Sequence, residues 1–417
     1  MATNQLQANG ERFWDTIEAS GQIGPGVAGG LRRLALTDSD KEMRGLFRQW
    51  CEEAGCSVKV DRMGSLFARR EGREDLPPVL IGSHLDTQIA GGRYDGIVGV
   101  LAGLEVVRTL NDLGITTKRP IEVVNWTNEE GARFQPPMVA AGVFAGVYDL
   151  DWGLARPTRE PGPGEGKTLG EELQRIGFAG PEPVGGREVD SYFELHIEQG
   201  PELDRTKTQV GIVTGGYAVR AMLIRIKGET AHTGPTPMEK RKNALVGAAR
   251  MIVAADDLGW EYAGTLGKVT AARLTASPNL AGILSDRAEL SLDLRHPDPA
   301  VADEMLSKLE KSLAVAARRS QVTYEIAERF TFGDERFDAD CVGRLRNAAA
   351  ELGFSHQDIL SQAGHDAYHM AAKYPTAMLF SPCGDGITHN EAENTTLEDQ
   401  LPALNVLLNA VVSRAER

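Results

Sequence analysis

The chain has 417 residues, which is too long for one ordinary hydrophobic core and predicts two domains. Its 41% hydrophobic and 25% charged residues are typical of soluble globular proteins. With 59 acidic and 45 basic residues the net charge is −14, which disfavours nucleic acid as a partner because an anionic surface repels polyanions. The first residues lack a signal-peptide pattern and no apolar run is long enough to span a bilayer, so we expect a cytoplasmic protein without a membrane partner.

Buried strands are predicted in several parts of the chain. Four apolar runs have the length and β-branched content of such strands, at residues 79–81, 121–124, 192–195 and 377–380. Residues 97–110 have helical spacing and end before Gly114, as a helix should. The alternation predicts an α/β fold with a mostly parallel sheet, whose ligand sites lie beyond the carboxyl ends of the strands.

The pattern changes at about residue 211. Strands of period two are predicted at residues 220–227 and 289–295, and helices at 243–257 and 300–319. These elements predict a compact α+β domain of residues 213–328, inserted into a domain formed by 1–212 and 329–417. Residues 160–166 are rich in Pro and Gly and predict a surface loop.

The four cysteines are too few for a disulfide scaffold in a chain of this length. Cys51, Cys56, Cys341 and Cys383 also lack the spacing of metal ligands. We expect them to be small buried side chains.

The first predicted strands run directly into polar residues. His84 closes the first of them, and Asp86, two residues later, points to the same side of an extended chain and can hold the imidazole of His84. Asp95 follows two glycines, so its two oxygens could bridge a pair of metals, although Asp is also a common N-cap before a helix.

Glu129 and Glu130 are adjacent at the end of the second strand. They point in different directions, so one can bind metal while the other transfers protons, although an exposed Glu-Glu pair is usually a solvated turn. His196 and His389 repeat the combination of imidazole and carboxylate at two further strand ends.

Imidazole and carboxylate without a nearby cysteine suit two divalent cations, Zn²⁺ or Mn²⁺, with Co²⁺ or Ni²⁺ as alternatives. The same ligand types argue against an iron–sulfur cluster and against a structural zinc finger. The sequence therefore predicts a two-metal hydrolase.

These motifs, in their order and spacing, resemble the M20 metallopeptidase superfamily. Within it they are similar to the amidase branch of N-carbamoyl-L-amino-acid hydrolases, β-ureidopropionases and allantoate amidohydrolases. The resemblance runs nearly end to end, from residues 34–41 and 61–69 to 389–393. It departs at Ser65, where relatives usually have Asn, and at Thr388, where Ser is common.

The resemblance implies two sets of metal ligands that share a bridging carboxylate: His84, Asp95 and His196 for one metal, and Asp95, Glu130 and His389 for the other. Glu129 is then the general base. Peptidase relatives usually carry a carboxylate where this chain has His196, which indicates the amidase branch.

The inserted domain resembles the lid and dimerisation domain of the superfamily and implies a homodimer. His232 matches a histidine that reaches the neighbouring subunit's site and stabilises the oxyanion. The alternative for His232 is a turn histidine that caps the loop before residues 241–243.

The resemblance also implies the substrate-binding residues. Asn279 and Arg295 match residues that bind the substrate carboxylate, and the planar guanidinium suits a carboxylate because it makes two parallel hydrogen bonds. Gln199, Gly364 and His365 match residues that line the pocket.

The implied reaction is hydrolysis of the ureido C–N bond of N-carbamoyl-L-amino acids or N-carbamoyl-β-alanine, a small ureido acid in either case. Allantoate amidohydrolase, which acts on another linear ureido acid, is the closest alternative, and a di- or tripeptidase is a further one. A metal-binding sensor or scaffold is disfavoured because a binder needs no Glu129 beside Glu130. Barrel-type cyclic-ureide hydrolases would show His-x-His on a first strand, where this chain has His84-Leu-Asp86.

Overall fold

The computed structural model describes residues 5–158 and 166–417. The chain divides into two compact units, a main unit of Met1–Gly215 with Glu335–Arg417 and an inserted unit of Gly216–Asp334. The inserted unit overlaps the insert predicted at residues 213–328, and its role as a lid and dimerisation domain stays a prediction. The loop predicted at 160–166 lies, except for Gly166, outside the described residues.

Strands and helices alternate over most of the described chain. The strands are β1 (Ser57–Val60), β2 (Leu66–Arg70), β3 (Val79–His84), β4 (Ile121–Trp126), β5 (Ser191–Ile197), β6 (Val210–Gly216), β7 (Ala218–Lys227), β8 (Lys268–Ser277), β9 (Arg287–His296), β10 (Thr323–Phe332), β11 (His356–Ser361) and β12 (Thr376–Ser381).

The helices are α1 (Gly10–Ser20), α2 (Asp38–Glu53), α3 (Ile97–Asp112), α4 (Val139–Ala145), α5 (Leu150–Leu154), α6 (Leu169–Ile176), α7 (Glu202–Thr206), α8 (Ala244–Tyr262), α9 (Pro299–Ser320), α10 (Ala339–Glu351), α11 (Asp366–Ala371) and α12 (Leu397–Ala415). Short 3₁₀ helices cover Met238–Lys240, Ala263–Thr265 and Gly384–Gly386.

The main unit contains an eight-stranded sheet in the order β1-β2-β4-β3-β5-β12-β6-β11. Its four central strands, β4, β3, β5 and β12, run parallel and are buried along their whole length. The α/β prediction is therefore confirmed. Because the central strands are parallel, their carboxyl ends lie at one edge of the sheet.

Helix α3 lies directly on this sheet. Almost all of its residues are buried, and a Cβ added at Gly99 would lie 2.3 Å from the carbonyl oxygen of Leu195 in β5. Glycine therefore permits the close approach of helix and sheet. The start of α3 is thus held beside the strand ends.

The inserted unit is a four-stranded antiparallel sheet in the order β10-β7-β9-β8. The leucines of β9, Leu290, Leu292 and Leu294, are buried in a core that α8 and α9 complete. Asp293 and Arg295 lie between them on the polar face, as the period-two pattern predicted.

All four cysteines are buried and free, as predicted. No helix of the described chain has the length and apolar character needed to cross a membrane.

Candidate metal centre

The carboxyl edge of the main sheet carries a group of histidines and carboxylates. His84 is the last residue of β3, His196 lies one residue before the end of β5, and Glu130 follows β4. His389 lies in the segment after β12, and Asp95 lies two residues before the start of α3. The parallel strands therefore deliver the predicted ligands to one place.

These side chains form two groups in which the candidate ligand atoms lie within 4.8 Å of one another. The groups are His84, Asp95 and His196, and Asp95, Glu130 and His389. Asp95 presents one oxygen to each: Oδ1 lies 3.1 Å from Nε2 of His196, and Oδ2 lies 3.4 Å from Nε2 of His389. Its position between the groups is that of a bridging ligand.

The chemistry of this donor set fits a pair of divalent cations. Oε1 of Glu130 is buried without a hydrogen-bond partner, so this acceptor remains available to a ligand. Burial lowers the pKa of His389, but the carboxylates of Glu130 and Asp95 outweigh it and raise the pKa to about 9. The site therefore favours positive charge.

Backbone carbonyls orient two of the imidazoles. Nδ1 of His84 donates to the carbonyl of Asp86 at 2.9 Å, and Nδ1 of His196 donates to that of Ile197 at 2.8 Å. A carbonyl can only accept, so in both rings Nε2 carries the lone pair. Nε2 of His196 accepts from the N–H of Gly96 at 3.0 Å, whereas that of His84 remains available to a cation.

The side chain of Asp86 does not hold the imidazole of His84 as predicted. Its nearest carboxylate oxygen is 4.0 Å from Nδ1, and the carboxylate instead accepts from the backbone N–H groups of Glu129 and Glu130. The prediction assumed an extended chain through residue 86, whereas β3 ends at His84. The carboxylate of Asp86 thus holds the segment of Glu129 and Glu130, whereas the backbone carbonyl of Asp86 holds the ring.

Glu129 lies beside the first ligand group. Its Oε2 is 3.4 Å from Nε2 of His84. Burial, followed by the nearby carboxylate of Asp366, raises the pKa of Glu129 well above its usual value. A carboxylate with a raised pKa is suited to general acid–base catalysis.

Two of the predicted pocket residues lie against the ligands. Gln199 donates from Nε2 to Oδ2 of Asp95 at 2.8 Å, while its Oε1 is buried without a hydrogen-bond partner. His365 is buried, with its ring centroid 4.4 Å from that of His196. Gly364 precedes His365 before α11.

The predicted residues of the inserted unit lie at opposite ends of its sheet. His232 is exposed and forms a β-bridge with Ile283, close to the exposed Asn279. Arg295 is at the far end of β9 and pairs with Asp293, its Nε lying 2.7 Å from Oδ1.

The strand register shows how far apart these two ends are. Ser277 pairs with Arg287, whereas Lys268 pairs with Arg295. Eight residues of strand separate the ends by about 26 Å. One inserted unit therefore does not bring Asn279 and Arg295 to the same small carboxylate.

Three further residues touch the ligands without having been predicted individually. Nε2 of Gln88 donates to Oε2 of Glu130 at 2.9 Å. Oε1 of Glu393 accepts from the N–H of Asp95 at 3.1 Å, and the hydroxyl of Thr388 donates to Oδ2 of Asp95 at 3.0 Å. Thr388 and Glu393 lie in or beside the motif of residues 389–393, but nothing in the sequence pattern indicates Gln88.

Known proteins match nearly the whole chain. Residues 80–413 match the peptidase family M20/M25/M40. The chain is 46% identical to an N-carbamoyl-L-amino-acid amidohydrolase of Rhizobium meliloti, over 98% of this chain and 97% of that protein. It is 30% identical to an allantoate amidohydrolase of Bacillus subtilis, over 94% and 96%.

A solved structure agrees in fold over its full length. It is an amidase of the hydantoinase/carbamoylase family from Burkholderia vietnamiensis, with a TM-score of 0.94 and 46% identity over 100% of both chains. Since the family match spans residues 80–413 and the relatives match end to end, the chain belongs to the peptidase family M20/M25/M40.

Proposed function

We propose that the protein is a metal-dependent amidohydrolase of N-carbamoyl-L-amino acids or of N-carbamoyl-β-alanine. It cleaves the ureido C–N bond with water and yields an amino acid, ammonia and carbon dioxide. The observation that carries the proposal is the pair of ligand groups sharing Asp95, with Glu129 beside them. The 46% identity to the Rhizobium meliloti amidohydrolase supports this substrate class.

Two divalent cations, Zn²⁺ or Mn²⁺ or else Co²⁺ or Ni²⁺, would be held by the two ligand groups. When bound, such cations polarise a carbonyl and lower the pKa of water.

The chain's own residues then move protons and orient the substrate. Glu129 takes a proton from water and returns it to the leaving nitrogen, a task to which its raised pKa is suited. Oε1 of Gln199, buried without a partner, accepts from an N–H of the ureido group.

The inserted unit supplies the remaining groups in a homodimer. Arg295 binds the substrate carboxylate, and His232 of a second subunit stabilises the oxyanion. The opposite placement of Asn279 and Arg295 supports two subunits acting on one substrate. A cytoplasmic location belongs to the same proposal and is based on the sequence alone.

Allantoate is the second candidate substrate, because the Bacillus subtilis relative is an allantoate amidohydrolase. A peptidase is less well supported, since the relatives similar over nearly the whole chain at 46% and 30% identity are both amidohydrolases. A sensor without catalysis would not account for Glu129.

A substrate panel on metal-loaded protein tests the proposal. We expect kcat/KM to be highest for an N-carbamoyl-L-amino acid or N-carbamoyl-β-alanine, and lower for D-enantiomers, allantoate and dipeptides. Faster turnover of allantoate than of every carbamoyl amino acid would assign the second function. Turnover of dipeptides alone would assign a peptidase. Glu129→Gln protein from the same preparation serves as the control for contaminating activity.

A further inference from the structure

The glycine-rich loop of residues 24–31 holds the carboxylate of Glu391. Oε1 accepts from the backbone N–H of Val27 at 3.1 Å, and Oε2 accepts from those of Ala28 and Gly30. Backbone donors gathered in this way along one short loop form a concave nest for an anion.

The loop is closed by its own hydrogen bonds. The N–H of Gly26 donates to the carbonyl of Gly30 at 2.8 Å, and Leu31 and Gly91 exchange two backbone hydrogen bonds of 2.9 Å. These bonds do not involve Glu391, so the loop has backbone support that is independent of the carboxylate.

The fit between loop and carboxylate is close. A Cβ at Gly26 would lie 2.4 Å from Oε2 of Glu391, and one at Gly30 would lie 2.7 Å from its Cα. The backbone of Gly26 has no positive φ, so alanine is conformationally allowed there, and the nearest atoms that it meets belong to Glu391.

Glu391 lies two residues after His389, the candidate histidine ligand that the surrounding protein buries least. The side chain of His389 is 50% exposed, whereas those of His84 and His196 are 1% exposed. His389 also has a φ of +50°, a left-handed conformation that is unfavourable for a residue other than glycine. Its backbone therefore needs contacts from outside its own segment.

We propose that Glu391 is a positioning residue for the second metal. By occupying the nest it fixes the backbone that carries His389 and so sets the metal affinity of the group Asp95, Glu130 and His389. It leaves the group His84, Asp95 and His196 unaffected, because it touches none of those residues. This inference rests on the proposed two-metal site.

Glu393 provides a matched contrast in the same segment. Its Oε1 accepts from the N–H groups of Tyr94 and Asp95 at 3.0 and 3.1 Å. Because Asp95 belongs to both groups, the loss of Glu393 should weaken both metals, whereas the loss of Glu391 should weaken one.

Equilibrium dialysis against Mn²⁺ with elemental analysis distinguishes these roles. We expect two sites in the wild type, and in Glu391→Ala one unchanged site and a second weakened at least about tenfold. Glu391→Gln should lie between, since its carbonyl oxygen still accepts from the loop. Glu393→Ala should weaken both sites, and Glu398→Ala, at an exposed position in α12, should match the wild type.

Two unchanged sites in a folded Glu391→Ala protein would overturn the inference. Fewer than two sites in the wild type would instead overturn the two-metal proposal, so the two failures are distinguishable.

A second variant tests the same contact from the loop. Gly26→Ala should weaken only the second site, because its methyl group displaces the carboxylate of Glu391. In a Glu391→Ala background the same change should alter that affinity less than about twofold, since coupled residues are not additive. Additive losses would show that Gly26 acts on folding alone and would overturn the role of the nest.

Discussion

The two sheets of this protein distribute their polar side chains in opposite ways. In the main unit, the parallel strands β3 and β5 bring His84 and His196 to the same edge, where Glu130 joins them. In the inserted unit, the antiparallel strands β8 and β9 place Asn279 and Arg295 at opposite ends. A parallel sheet can thus assemble a site within one subunit, whereas this antiparallel sheet carries its candidate residues at two separate ends.

The two regions also differ in solvent exposure. Asp95 and Glu129 are buried, and the pKa of Glu129 is raised by that burial and by neighbouring carboxylates. His232 and Asn279 are exposed in the single chain. The main unit therefore holds its candidate reactive groups in a low dielectric, whereas His232 and Asn279 are solvated in the single chain.

The largest expected effect concerns the main unit. Glu129→Gln should lower kcat at least about 100-fold and keep both metals, because it removes proton transfer without removing a ligand. Glu130→Gln should lose metal instead. Steady-state kinetics gives kcat and elemental analysis gives the metal content of each variant. Loss of metal in Glu129→Gln, with metal retained in Glu130→Gln, would mean that the roles of base and ligand are the other way round.

Mixed dimers test whether the inserted unit acts across subunits. Glu129→Gln and His232→Ala should each be inactive, but refolding them together should recover about a quarter of wild-type activity. Half of the dimers are then mixed, and each has one site with both residues intact. A verified heterodimer without activity would restrict His232 to its own subunit.

Arg295 tests the other end of the inserted sheet. Loss of a charge-assisted contact to the substrate carboxylate costs about 1.5–3 kcal/mol, so Arg295→Ala should raise KM at least about tenfold. Arg273→Ala, which removes an arginine paired with Glu289 in the same sheet, is the matched control and should leave KM unchanged. Equal effects of the two variants would indicate a general loss of sheet stability.

Substitution of Asp61 is expected to change activity least. It tests how a buried carboxyl group of the main unit affects the free energy of unfolding. Burial raises the pKa of Asp61 to about 7, although its Oδ1 accepts from the N–H groups of Met63 and Ser65. In the unfolded chain this pKa is about 3.9. Between about pH 4 and pH 7 the folded protein thus keeps a proton that the unfolded chain has lost, and the free energy of unfolding falls as pH rises.

Asp61→Asn should remove this pH dependence, since the amide stays neutral. Between pH 4 and pH 8 the wild type should lose free energy of unfolding through this group, and Asp61→Asn should not. The difference between the two changes should be on the order of 3 kcal/mol. Asp75→Asn, at a fully exposed carboxylate, should leave the urea-denaturation profile unchanged at both pH values. A wild-type slope retained in Asp61→Asn would show that another group titrates.

The sequence predicts the main unit better than the inserted one, for a physical reason. A buried parallel strand followed by a polar residue places that residue at a known edge, so His84, Glu130 and His196 could be grouped from the sequence. The register of two antiparallel strands depends on pairings that the sequence does not show. Asn279 and Arg295 were assigned to the substrate carboxylate from the resemblance, and the sequence alone did not show that they lie at opposite ends of one sheet.

Local contacts show a similar limit. The carboxylate of Asp86 was predicted to hold the ring of His84 from strand alternation, but β3 ends at His84, two residues before Asp86. Gln88 reaches Glu130 from an irregular segment that has no periodicity to interpret. The particular contacts made by side chains in irregular segments were thus the least predictable from the sequence.

Activity measured against metal content in one preparation tests the central claim most directly. Chelator-stripped protein should be inactive toward N-carbamoyl-L-amino acids, and Mn²⁺, Co²⁺, Ni²⁺ or Zn²⁺ should restore turnover as occupancy rises to two ions per subunit. Full turnover in protein shown by elemental analysis to be free of metal would contradict the account.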